Sequence, residues 1–166
     1  MKIRMKVNGV LVEEEVEPRM LLSDFLREKV DALSVNVSCG VGRCGSCSVI
    51  LNGKLVKSCL IFAAMANEGH IVTVEGLAKD GELHAIQKGF WENHALQCGF
   101  CTSGFLMATY SLLKKNLTPS EEEIREFLKG NLCRCTGYTN IIDAIKYASE
   151  TLTGIPKDKL KEAFRW

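Results

Sequence analysis

Eight cysteines in 166 residues fall into CGVGRCGSC at 39–47, a lone Cys59, CGFC at 98–101 and CRC at 133–135. No other feature limits the fold as much. A run that brings several thiols together has to be a loop held at both ends by regular structure. The N-terminal stretch MKIRMKVNGVLVEEEVE alternates apolar and charged residues without a continuous apolar segment, so it reads neither as a secretory signal nor as a membrane span. A cytoplasmic location is therefore expected. There thiols stay reduced, which favours metal ligation over disulfides. With 21 Lys+Arg against 20 Asp+Glu, the formal charge of +1 provides no basic field for nucleic acid.

The chain divides near residue 76. Lys2–Val7, the turn pair Asn8-Gly9 and Val10–Val16 read as a hairpin, and Leu21, Leu22, Phe25, Leu26 and Val30 share one face of a helix over 20–30. Ser48–Leu51 and Lys54–Val56 flank a second turn pair, Asn52-Gly53. Cys59 opens a short apolar helix running to about Asn67, and 70–76 is a closing strand. This order implies an α+β unit over 1–76, a small mixed sheet packed on one helix. A polar joint spans 77–82, and the remainder to 155 reads helical, with helices over 83–93, 102–115 and 138–152. The capping box Thr118-Pro119-Ser120-Glu121 starts another. Residues 156–166 form a tail whose Leu160, Phe164 and Trp166 suit either a partner or the chain's own helical unit.

That boundary sorts the thiols into two sets of four. Cys39, Cys44 and Cys47 follow the C-x4-C-x2-C spacing by which plant-type ferredoxins hold a [2Fe–2S] cluster, and Cys59 completes the set after eleven residues. Gly40, Gly42 and Gly45 allow the loop to turn its amides toward an anionic core, and Arg43 adds positive charge at the rim. Four-thiolate zinc prefers paired C-x2-C knuckles, which this loop does not resemble. The second set, Cys98, Cys101, Cys133 and Cys135, lies just before helices, whose N-termini favour anionic thiolates. Taken alone it suits zinc as well as iron–sulfur. The first set favours iron–sulfur, because two adjacent clusters make an electron relay, whereas zinc in both would make a stapled, redox-inert adaptor.

CGVGRCGSC with Cys59, followed by QCGFCTSG at 97–104 and GNLCRCTGY at 130–138, resembles the two-cluster iron–sulfur subunit of the xanthine oxidase family of molybdenum hydroxylases over roughly the whole of 1–155. The resemblance implies a β-grasp, ferredoxin-like domain followed by a four-helix [2Fe–2S] domain. It implies that Cys39, Cys44, Cys47 and Cys59 bind the cluster nearer a flavin, and Cys98, Cys101, Cys133 and Cys135 the one nearer molybdenum. Gln97 and Cys135 would contact the molybdopterin. The partners implied are a large molybdopterin subunit and a medium FAD subunit, in a heterotrimer or its dimer, with the present chain passing electrons between them and performing no substrate chemistry itself. Three positions depart from the family's usual residues: Val41 stands for an acidic residue, Ser46 for alanine and Ser103 for proline. Loss of negative charge at Val41 is expected to raise the first cluster's potential. His70, His84 and His94 lack ligand spacing, and the stripes Leu106/Tyr110/Leu113 and Ile141/Ile145/Ala148 read as core.

Overall fold

Two Asn-Gly pairs lay out the strands. In the computed structural model, which describes Met1 to Trp166, Asn8 and Gly9 both take positive φ, 51° and 86°. This type I′ geometry matches the twist of a two-residue hairpin. It joins β1 (Lys2–Val7) to β2 (Val10–Glu15) with Val7 opposite Val10. Asn52 and Gly53 do the same between β3 (Ser48–Leu51) and β4 (Lys54–Lys57). The short β5 (His70–Val72) fits between the hairpins, parallel to β1 and antiparallel to β3, giving the order β2-β1-β5-β3-β4. Ile3, Met5 and Val7 of β1 project to one face, where α1 (Leu22–Glu28) buries Leu22, Phe25 and Leu26 against them. A mixed sheet gripping one helix is the β-grasp arrangement.

The helical unit packs on the opposite face. Val49 belongs to the core shared with α1, whereas its neighbour Ile50 joins Val72 in a second core built mainly by helices, as the period of two along a strand requires. The helices are α2 (Ala85–Glu92), α3 (Thr102–Lys115), α4 (Glu121–Phe127) and α5 (Thr139–Thr153). Every residue of α3 from Ser103 to Leu113 is buried. It lies against β3 and β4 on one side and against α2 and α4 on the other. One sheet thus serves both units, which fixes the two cysteine sets relative to each other.

Several local expectations shift. The segment after Cys59 forms two 3-10 turns, Ser58–Leu60 and Ala63–Ala66, rather than one helix. The strand at 70–76 ends at Val72 and passes into a 3-10 turn at Val74–Gly76. Helix α4 is capped by Ser120, not Thr118: the Ser120 hydroxyl accepts from the Glu123 amide at 3.2 Å, and the Glu123 carboxylate accepts from the Ser120 amide at 2.7 Å. The Ser120–Glu123 pair closes reciprocally and sets the start. The tail forms a further helix, α6 (Lys157–Ala163), that docks on its own chain. Trp166 Nε1 donates to the Gly76 carbonyl at 3.0 Å, its ring stands edge-on to His70, and Phe164 packs on His84 and Tyr110. The tail therefore touches both units across the joint.

His84 caps α2 through Nδ1, which accepts from the Ile86 amide at 3.2 Å, while Nε2 lies 3.0 Å from the Ala163 carbonyl. That pattern requires the neutral ring with its proton on Nε2. Burial, the principal cause, holds its folded-state pKa below the ordinary 6.5, the Ala163 carbonyl opposing and Arg165 adding to the depression. The unfolded chain therefore takes up the proton first as pH falls. Stability from this group is complete above about pH 6.5 and declines below it until the folded-state pKa is passed. His84→Asn keeps a capping side chain and cannot titrate. Urea denaturation as a function of pH should show a shallower acid decline in the variant; an identical decline would assign it to other groups.

Candidate metal centres

The first cysteine loop takes its shape from its glycines. Gly40, Gly42 and Gly45 have φ of 64°, 74° and 77°, so successive amides turn inward. The Cys44 and Val41 amides point to Cys39 Sγ at 3.4 and 3.5 Å. These donors, the Cys44 amide foremost and the Arg43 amide among them, bring the Cys39 thiol down to about 6. The loop is therefore built to hold Cys39 as a thiolate before any metal contributes. Cys44, Cys47 and Cys59 are buried. Burial, helped by the adjacent Cys47 thiol, raises Cys59 to about 11, so this thiol would need a metal beside it to lose its proton. Cys39 pairs with Cys44 and Cys47 with Cys59, a two-plus-two division. Leu60 closes the loop: a Cβ on Gly42 would lie 2.3 Å from Leu60 Cδ1. Arg43 is exposed at the rim.

The second set is more open. Cys101 caps α3, and Cys133 lies in the loop before α5. Cys98 and Cys135 are exposed with sulfurs 3.7 Å apart, while Cys101 and Cys133 form the inner pair. Burial pushes Cys101 up to about 12. Cys133 is lowered: burial opposes, but the Thr136 hydroxyl at 3.2 Å and amide at 3.4 Å outweigh it. Tyr138, at φ 72° in the left-handed region, secures this loop by accepting from the Cys133 amide at 2.9 Å and donating to the Asn131 carbonyl at 3.3 Å. Gln97 is exposed beside the outer pair.

The donor sets suit a two-iron cluster better than a single ion. In each, the thiols sort into two pairs, as they must when two irons share four thiolates. The hydroxyls of Thr102 and Ser103, directly after Cys101, are buried without a partner. Each costs about 1–3 kcal/mol unless an acceptor is supplied, and an anionic cluster beside Cys101 is such an acceptor.

One backbone contact joins the two sets. The Leu132 amide donates to the Cys44 carbonyl at 2.8 Å, so a first-set cysteine is hydrogen-bonded to the residue that adjoins Cys133. Around it, Asn131 Nδ2 reaches the Gly45 carbonyl at 3.4 Å, and Asn36 Nδ2 donates to the Phe100 carbonyl at 2.9 Å. The sequence pattern identified every cysteine but gave no sign of Leu132, Asn131 or Asn36 in these roles, because their partners lie far along the chain.

Two 2Fe–2S domains with clustered thiols on either side of one sheet define a two-cluster iron–sulfur protein. A 2Fe-2S iron-sulfur cluster binding domain matches residues 5–71, and a [2Fe-2S] binding domain matches 73–146. The beta subunit of the 6-hydroxypseudooxynicotine dehydrogenase complex of Paenarthrobacter nicotinovorans is 49% identical over 86% of this chain and 90% of its own length. The xanthine dehydrogenase iron-sulfur-binding subunit of Escherichia coli O157:H7 is 42% identical over 90% of this chain and 94% of its own. Quinoline 2-oxidoreductase of Pseudomonas putida 86 contains a chain that superposes with a TM-score of 0.88 at 46% identity, covering 91% of this chain and 94% of that one. The chain belongs to the iron–sulfur subunits of the xanthine oxidase family. It carries two [2Fe–2S] clusters and works in electron transfer as part of an oxidoreductase; the zinc-stapled adaptor finds no support. No helix is long and apolar enough to cross a membrane.

Proposed function

We propose that this chain carries electrons between a molybdopterin centre and FAD held by a large and a medium partner subunit, in a cytoplasmic heterotrimer or its dimer, and performs no substrate chemistry alone. Cys39, Cys44, Cys47 and Cys59 hold the flavin-side cluster on unit 1–76, and Cys98, Cys101, Cys133 and Cys135 the molybdenum-side cluster on unit 83–155. Each bound cluster supplies a group that accepts and releases one electron. The chain contributes the spacing. The Leu132–Cys44 hydrogen bond carries this reading, because it gives the two sets a route of covalent bonds and one short hydrogen bond, where tunnelling meets less resistance than through space. Exposure of Gln97, Cys98 and Cys135 favours their side as the pterin contact. Relatives bearing the names "complex subunit beta" and "iron-sulfur-binding subunit" support partner chains.

Anaerobically purified protein should contain about four irons and four sulfides and show two reduced EPR signals. Cys44→Ser should abolish one and spare the other. Two zincs and a colourless solution, loss of both signals in Cys44→Ser, or substrate turnover by the isolated chain would each contradict this reading.

A further inference from the structure

Lys57 ends β4, two residues before Cys59. It forms no salt bridge with any carboxylate. Yet its ammonium is partly withdrawn from water and held by neutral groups of both units, donating to Ser48 Oγ at 3.0 Å and to the Gly130 carbonyl at 2.9 Å. The Ser48 hydroxyl donates in turn to the Gly45 carbonyl at 2.7 Å, so the cation lies behind the backbone joining Cys44 to Cys47. A withdrawn charge without a counter-ion is costly and calls for an anion within reach. The groups that become anionic when a cluster binds are the thiols of Cys44 and Cys47, on either side of the Gly45 carbonyl reached through Ser48, and of Cys59, two residues along the chain.

We propose that Lys57 is the charge partner of the first cysteine set, a positioning residue whose cation favours the reduced state of the cluster held there and raises its potential relative to the second. The proposal rests on the ligand assignment above. Reduction adds one electron, and thus one negative charge, to the cluster without breaking a bond, so a fixed positive charge nearby stabilises the product more than the reactant. The same ammonium pins Gly130 to the first unit and helps hold the segment that presents the Leu132 amide.

The test is a redox titration of the assembled complex with dithionite, following the two EPR signals separately in wild type, Lys57→Met, Lys57→Gln and Lys57→Arg. Iron and sulfide content of the wild type comes first, since lack of a cluster in the first set would refute the assignment and not the role of Lys57. Met and Gln should lower the first cluster's reduction equilibrium constant about tenfold, a downward shift of about 59 mV for one electron, and move the second less. Arg should restore it. An unmoved first potential, an equal fall at both clusters, or an Arg variant as low as Gln would overturn the proposal. If Lys57→Met does not assemble, the Arg–Gln comparison still decides it.

Discussion

Gly104→Ala is expected to destabilise the cluster-loaded chain by about 2–3 kcal/mol, although alanine is intrinsically the better helix residue by about 1 kcal/mol. Gly104 sits in the first turn of α3, where that helix meets the first cysteine loop. A Cβ there would lie 2.2 Å from the Gly45 carbonyl oxygen, 2.9 Å from its carbon and 3.0 Å from Ser46 Cα. The obstacle is backbone, not the end of a flexible side chain, so relief requires the loop or the helix to move. The Gly45 carbonyl already accepts from the Ser48 amide at 3.1 Å, the Ser48 hydroxyl at 2.7 Å and Asn131 at 3.4 Å. Displacing it weakens all three. Tm should fall by roughly 5–10 °C, and the first cluster's EPR signal should broaden or shift because Gly45 lies between Cys44 and Cys47. Gly130→Ala is the control: its Cβ would meet only Lys57 Nζ, at 3.7 Å. A Gly104→Ala variant as stable as that control would mean that α3 is not seated on the loop.

The contrast between Gly104 and the loop glycines shows what a linear reading reaches. Gly40, Gly42 and Gly45 stand out because they are interspersed with cysteines, and Asn8-Gly9 and Asn52-Gly53 because a two-residue turn has a local signature. The eight cysteines sort into sets for the same reason: spacing and a change of periodicity near residue 76 are local properties. Gly104 closes the QCGFCTSG stretch, but nothing local marks its role, since the carbonyl it makes room for is 59 positions away, the difference between 104 and 45. Lys57 lay just outside the expected strand Lys54–Val56, and its Gly130 contact spans 73 residues. That Ser120 and not Thr118 caps α4 follows from the reciprocal hydrogen bonds that Ser120 and Glu123 close. Docking of the tail depended on a surface, around Gly76, His84 and Tyr110, that exists only once both units have formed. Local chemistry was thus legible, and the seam between the units was not.

That seam is most directly tested at Leu132. Leu132→Pro removes the one amide that donates to the Cys44 carbonyl and leaves all eight cysteines in place. The preceding residue tolerates it: Asn131 has φ −131° and ψ 124°, within the extended region that a following proline imposes. The Leu132 side chain is 55% exposed, so little packing is lost. The lost hydrogen bond should cost about 1 kcal/mol of stability, small beside Gly104→Ala, whereas the effect on electron passage should be large. Without the bond, the route from Cys44 to Cys133 includes a gap across which the electron must pass through space. Rapid-mixing reduction of the complex should therefore show one cluster reduced while the other lags, with both EPR signals present and each potential little changed. Leu132→Ala keeps the amide and should behave as wild type. Synchronous reduction of both clusters in the proline variant would mean that the electron takes another route, with Asn131 and its contact to the Gly45 carbonyl the next place to look.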